Sequence, residues 1–186
     1  MPIKTLITCA WLLLLASCSP KEETTVRSVQ GHVFGTQVEV SIYGESEERS
    51  QKLGNEVLAE FDRLHHKFHA WQPSQLTALN DAIAKGETFQ SDDEMVGLLK
   101  NAAELSAQSD NLFNPAIGRL IRLWGFQSSD IKAQGPDQSE IRRLVQSNPR
   151  LSDLRFDGTK ISSANRDVMI DLGGYAKGYA LDRAAL

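Results

Sequence analysis

Cysteine is nearly absent from this chain: its 186 residues include two, Cys9 and Cys18. Two thiols are too few for the disulfide framework of a small secreted scaffold. A basic stripe is missing as well. Twenty Lys and Arg stand against 24 Asp and Glu, for a formal net charge of -4. Nowhere do the cations cluster as a phosphate backbone requires, which argues against a nucleic-acid partner. The one long apolar run, residues 6–15, is too short to span a bilayer as a permanent helix. Internal repeats and low-complexity tracts are absent. What remains is ordinary globular composition, 41% hydrophobic and 24% charged. The length suffices for one domain with its own core.

The apolar run has a different meaning. It follows a short n-region with a single lysine, Lys4, and precedes small residues, which is the three-part layout of a secretory signal. Leu15-Ala16-Ser17-Cys18 resembles a bacterial lipobox, in which the cysteine is lipidated and becomes the new N-terminus. An ordinary signal with an incidental cysteine is the alternative. Residues 1–17 are thus expected to be a lipoprotein signal peptide and Cys18 the lipidation site. Each buried methylene of an acyl chain adds about 0.8 kcal/mol of membrane affinity, so several chains on one residue hold firmly. Residues 18–28 are mostly polar and read as a tether. The expected location is the bacterial cell envelope, on a membrane and facing the periplasm.

Beyond the tether, strand and helix signals alternate. Val33 and Phe34, then Val38, Val40 and Ile42, alternate around Gly35-Thr36 as a pair of strands or one kinked strand would. From Ser46 the period changes: Leu53, Val57, Phe61, Leu64 and Phe68 form one helical stripe. A second helix is predicted over 93–109, with Met95, Leu98, Leu99, Ala102 and Leu105 on one side. Pro115 suits the first turn of a short helix. Ile141, Leu144 and Val145 mark another, ending before Asn148-Pro149. Residues 154–162 read as a hairpin turning at Asp157-Gly158, and 168–170 as a strand. This mixture predicts an α+β fold, with a mixed or antiparallel sheet and packed helices.

Several segments invite a functional reading. His65 and His69 share a helix face at four-residue spacing, but the residue after His65 is His66, where a metalloprotease helix needs glutamate. A solvated helix end explains these histidines, so no metal is assigned there. Trp71, at a helix-to-loop junction, either caps the core or stacks on a planar ligand. Residues 111–115 are turn-rich, and their amides either face a ligand or belong to a loop packed on a buried tryptophan.

The most informative stretch is MIDLGGYAKGYALDR, residues 169–183. A strand ends at Asp171, Gly173-Gly174 permits close backbone approach, and a helix begins near Tyr175. The unpaired amides and dipole of that helix, with Lys177, could grip a phosphate or diphosphate. It is neither a P-loop, since Gly178 follows the lysine, nor the dinucleotide G-x-G-x-x-G fingerprint. Asp171 would repel a phosphate unless it binds a metal, a hydroxyl or a ring N–H. A purely structural turn is the other reading.

Residues 171–182, DLGGYAKGYALD, resemble the D-L-G-G-x-A-K-G-Y-A-x-D signature of the FAD:protein FMN transferases, the ApbE family of bacterial flavin transferases. NLFNPAIGRLIRLWGF is similar to that family's segment ending in L-W-G-F. Phe34-Gly35-Thr36 sits where the family has Met-Gly-Thr, and Trp71-Gln72-Pro73-Ser74 resembles its S-x-Y-x-P-x-S stretch. The resemblance implies an enzyme that binds FAD, uses Mg²⁺ and moves FMN onto a threonine or serine of a target protein, releasing AMP. It places Phe34, Trp71, Leu112, Phe113, Asn114, Asp171 and Lys177 at the FAD and gives Mg²⁺ the Gly174 carbonyl. Phe34, Trp71 and Asn114 depart from the family's usual Met, Tyr and Asp.

Family members also run on well past this motif, through the segments that supply the Mg²⁺ carboxylates and general base. The resemblance therefore implies that residues 29–186 are the N-terminal part of the transferase domain, stopping before its C-terminal half. The expected general base lies beyond Leu186, and the 186-residue chain is not expected to catalyse transfer alone. Two other readings stand beside it: a lipid-anchored FAD-binding module without catalytic activity, and a structural envelope lipoprotein.

Overall fold

A two-residue turn with both φ angles positive, Phe34 at 55° and Gly35 at 69°, opens the fold. The computed structural model describes residues 25–128 and 135–185; the signal peptide, Cys18 and most of the tether lie outside the described residues. The turn joins β1 (Val26–Val33) to β2 (Thr36–Tyr43) in an antiparallel hairpin, paired from Val26 opposite Tyr43 to Val33 opposite Thr36. Positive φ at both central positions matches the twist of the flanking strands. Two strands, not one kinked strand, form here, and Phe34 belongs to the turn between them. Its ring lies 6.1 Å from Phe61 and 5.7 Å from His65, so the hairpin tip is pinned to the helix that follows.

That helix, α1 (Glu47–Lys67), has Ser46 as N-cap, Glu47 and Glu48 in its first turn and His65, His66 and Lys67 in its last. Each choice suits the orphan amides and the dipole. Phe61 and Leu64 are buried, as is Phe68 just beyond the end. Gly54 faces β1, where a Cβ would come within 2.4 Å of Val29 Cγ2, so glycine sets the spacing between helix and hairpin.

A helix absent from the sequence reading comes next. α2 (Gln75–Lys85) starts with a capping box between Ser74 and Thr77 and ends at Gly86 in the left-handed conformation. Leu76, Leu79, Asn80 and Ile83 are its buried face. The short strand β3 (Phe89–Gln90) leads to α3 (Asp93–Gln108), capped by Asp92. Met95, Leu98, Leu99 and Ala102 are buried as expected, whereas Leu105 is exposed and Ser106 takes its place inside.

α4 (Gly118–Leu123) begins three residues after Pro115, which therefore lies outside its first turn. α5 (Gln138–Ser147) stops at Asn148 in the left-handed conformation, just before Pro149. One 3₁₀ turn, Leu151–Asp153, leads into β4 (Leu154–Asp157) and β5 (Lys160–Ser163). The predicted hairpin is present, and β3 adds to the free edge of β5, giving the antiparallel order β3-β5-β4.

Residues 168–170 form no full strand. They make a single parallel bridge, Ile117 to Met169, supported by Gly118 N–H to Met169 O at 2.7 Å and Asp171 N–H to Pro115 O at 2.9 Å. Ladder growth stops because the other side of Ile170 is taken by a side chain: Asn80 Nδ2 donates to Ile170 O at 2.9 Å and Asn80 Oδ1 accepts from Ile170 N at 2.7 Å. The last element, α6 (Ala176–Ala184), packs on α1. One core joins α1, α2 and α3 to Ile161, Val168, Ile170 and Leu172. The architecture is α+β, with six helices and two small antiparallel sheets among the described residues. No helix among them is long and apolar enough to cross a membrane.

Candidate functional site

Three parts of the chain converge on one cavity of about 360 Å³, within the range of small-molecule sites. The hairpin tip brings His32 and Phe34. The end of α1 and the loop after it bring His65, His69 and Trp71. The turn into α6 brings Asp171, Gly173 and Lys177. Four of the residues expected at a ligand, Phe34, Trp71, Asp171 and Lys177, thus share one cavity although they span 144 positions of sequence (177 − 34 = 143 steps).

Asp171 is the hinge of the turn. Its Oδ1 accepts from Gly173 N at 2.8 Å and its Oδ2 from Gln127 Nε2 at 2.6 Å. Each carboxylate oxygen thus accepts one hydrogen bond within the protein. Leu172 O then accepts from Tyr175 N at 2.8 Å and Ala176 N at 2.7 Å, which starts α6. Lys177 follows in the first turn of that helix. A cation there stands at the positive end of the dipole, an unfavourable position unless an anion joins it. Among the described residues Lys177 has no ion-pair partner.

An aromatic row lines the same cavity. His65 and His69 lie 5.0 Å apart between ring centroids, and His69 meets Trp71 edge-on at 4.5 Å. Trp71 is 51% exposed, so its ring does not merely cap the core. Burial is the main cause that holds both His65 and His69 below the usual histidine range. At His69 the neighbouring His65 and His66 add to the effect, and Asp171 opposes it.

The structure does not bring Leu112, Phe113 and Asn114 into this cavity. Leu112 is 93% exposed. Phe113 packs on the core with its ring 6.0 Å from Tyr175. Asn114 Nδ2 donates to Pro149 O at 2.9 Å and its Oδ1 accepts from Ala116 N at 3.0 Å, a clamp between two loops. The amides expected to face a ligand turn inward: Asn111 N bonds Ser106 O, Leu112 N bonds Ser109 O and Phe113 N bonds Ser109 Oγ. Phe113 lines a separate groove together with Gly174 and Tyr175.

For Mg²⁺ the donors gathered here are incomplete. Gly174, the residue whose carbonyl the resemblance gives to Mg²⁺, lines the separate groove beside Phe113, and Asp171 accepts from two N–H donors. No group of three or more His, Cys, Asp or Glu suited to a metal is found among the described residues. Sequence reasoning missed Gln127, which is 7% exposed and anchors Asp171. Gly125, at φ 88°, marks a turn two residues before it, but no local pattern marks its burial. His32, His65 and His69 were also missed as cavity residues, because the cavity exists only once the hairpin tip, the end of α1 and the turn into α6 meet.

A model of the ApbE family matches residues 34–186. The chain is 36% identical over 153 residues to an FAD:protein FMN transferase of Rhodobacter capsulatus, covering 82% of this chain and 29% of that protein. It is 25% identical to one of Haemophilus influenzae, covering 98% of this chain and 54% of that protein. Among solved structures, the ApbE protein of Thermotoga maritima superposes with a TM-score of 0.77 at 29% identity, covering 86% of this chain and 51% of that one. The flavin transferase ApbE from Vibrio cholerae has the same fold, with a TM-score of 0.75 at 19% identity. Fold and motif agree on a flavin-transferase-type α+β domain. The chain belongs to the ApbE family. It spans about half the length of these solved structures, and less of the Rhodobacter protein.

Proposed function

We propose that this chain is part of an FAD:protein FMN transferase and that its cavity holds FAD. The observation that carries the proposal is the placement of Lys177 at the N-terminus of α6, opening on a cavity walled by Phe34, His69 and Trp71. Aromatic surface suits an isoalloxazine ring. A cation at a helix N-terminus suits a diphosphate. In the transfer, a threonine or serine oxygen of a target protein bonds to the FMN phosphorus, the bond to AMP breaks, and the hydroxyl proton passes to a base. Asp171, held by Gln127 Nε2 and Gly173 N, anchors the turn beside that site. The Gly174 carbonyl would supply one oxygen ligand to a Mg²⁺ ion, and such an ion would supply charge neutralisation for the diphosphate.

The chain is further proposed to be lipidated at Cys18 and held on a membrane facing the periplasm. What supports this is the lipobox-like Leu15-Ala16-Ser17-Cys18 after a mostly apolar run. A Cys18→Ala variant recovered in the same membrane fraction as the parent would remove that reading.

The test of function is titration of the detergent-solubilised chain with FAD, followed by flavin fluorescence, and then mass spectrometry of a threonine-bearing acceptor protein. Lys177→Ala is expected to weaken FAD binding by roughly tenfold or more, the scale of one charge-assisted contact. Absence of FAD binding by the parent chain sinks the proposal. Transfer to the acceptor by this chain alone is not expected, and tight FAD binding that needs no Mg²⁺ supports a binding module instead.

A further inference from the structure

The loop between α1 and α2 is organised around one imidazole. His69 Nδ1 accepts from Gln72 N at 3.0 Å and from Trp71 N at 3.3 Å, while the His69 ring packs edge-on against the Trp71 indole. A nitrogen that accepts backbone N–H bonds carries no proton of its own. The backbone on the other side of the loop is tied by Ser74 Oγ, which donates to His69 O at 2.7 Å and caps α2. The two bonds that hold the Trp71 and Gln72 amides therefore depend on His69 keeping Nδ1 unprotonated.

We propose that His69 is a positioning residue for Trp71, and that its protonation releases the Trp71 ring and weakens binding of a planar ligand in the cavity. The proposal deepens the flavin reading and rests on it for the identity of the ligand. On protonation, Nδ1 becomes a donor facing two donors, so both bonds are lost together. The groups that face His69 set when this happens. His65 and His66 on α1 and burial favour the neutral ring, and Asp171 on the turn into α6 favours the charged one. His32 from the hairpin and Lys177 from α6 line the same cavity. Because the net effect lowers the proton affinity of His69, the neutral ring and a fixed Trp71 prevail at neutral pH. Release comes as the pH falls below the usual histidine range.

His69→Asn and His69→Ala separate positioning from packing. An asparagine at this position can accept the same i+2 and i+3 amides through its side-chain oxygen and does not titrate. Two readouts on the full chain test the inference: NMR shifts of the Trp71 and Gln72 amides with the His69 tautomer, and FAD affinity by fluorescence, both from pH 7.5 to 5. In the parent, the amides should move with the same midpoint as His69, and FAD affinity should fall roughly tenfold over that range. His69→Asn should flatten both curves at the high-affinity level, and His69→Ala at the low one. Amides that stay still while His69 titrates overturn the inference, whatever FAD does. An FAD affinity independent of pH in the parent, with moving amides, also overturns it. Moving amides with no FAD binding at any pH leave the positioning role standing and overturn the flavin reading instead.

Discussion

Asn80 and Ile170, 90 positions apart, are joined by two hydrogen bonds through which the asparagine side chain imitates a neighbouring β-strand: Nδ2 to Ile170 O at 2.9 Å and Ile170 N to Oδ1 at 2.7 Å. The amide is the right shape for this, carrying one donor and one acceptor side by side. It lies on α2, buried, and fixes the height at which the segment leading into Asp171 crosses the core. Asn80→Leu leaves both backbone groups of Ile170 buried and unpaired. The expected cost is about 2–4 kcal/mol in urea unfolding. A loss below about 1 kcal/mol would show that the segment finds its partners elsewhere.

Gly54 inverts the usual rule for glycine in a helix. At an exposed position Gly→Ala gains up to about 1 kcal/mol. Here an added Cβ meets Val29 Cγ2 at 2.4 Å and Val29 Cβ at 2.7 Å, across the contact between α1 and β1. Gly54→Ala is expected to destabilise by about 1–3 kcal/mol. Pairing it with Val29→Ala should restore much of the loss, a double-mutant cycle that a simple helix-propensity effect could not produce.

Glu94 ties three helices together. It accepts from Arg63 Nη1 at 2.9 Å and Nη2 at 2.6 Å and from Lys67 Nζ at 2.5 Å, all on α1, and weakly from Tyr179 OH on α6 at 3.4 Å. The Arg63 guanidinium, aided by Lys67 and opposed by burial, lowers its carboxyl from the ordinary 4.5 to about 2. A depressed carboxylate contributes stability above its unfolded value and loses it as the acid falls through the folded one. The contribution, about 1–3 kcal/mol for a partly exposed network, should therefore be complete at pH 6 and vanish between about pH 4.5 and 2. Parent and Glu94→Gln unfolding curves should differ at pH 6 and converge near pH 2. A constant gap across that window contradicts this account.

The 112–114 loop separates structural from surface roles residue by residue. Leu112→Ala should change stability by less than about 0.5 kcal/mol, because the side chain touches solvent. Asn114→Ala should cost about 1–3 kcal/mol, since Pro149 O and Ala116 N lose their partner. If Leu112→Ala nevertheless weakens FAD binding, the loop reaches the ligand in the bound state despite its place outside the cavity.

Much of the fold could be read from periodicity. The stripes of α1 and α3, the end of α5 at Asn148 and the β4–β5 hairpin all follow from local pattern and turn chemistry. α2 escaped because Leu76, Leu79 and Ile83 are spaced among small and polar residues, and its start is marked only by the Ser74–Thr77 box. The strand expected at 168–170 reduced to one bridge because its second neighbour is a side chain, which no local pattern announces. Phe34 reads as a strand residue by hydrophobicity, yet it takes a positive φ in the turn, held there by Phe61 and His65.

Sequence by itself determined the family, the glycine turn after Asp171 and the cation in the first turn of α6, because these are contiguous and chemically specific. Tertiary structure alone decided which residues share the cavity. It brought His32, Phe34, His69 and Trp71 opposite Lys177, turned Asn114 into a clamp, and gave Asp171 its buried partner Gln127. The physical reason is that burial and long-range hydrogen bonds, which fix side-chain direction, depend on neighbours as far as 90 positions away and beyond. Spacing along the chain carries no record of them.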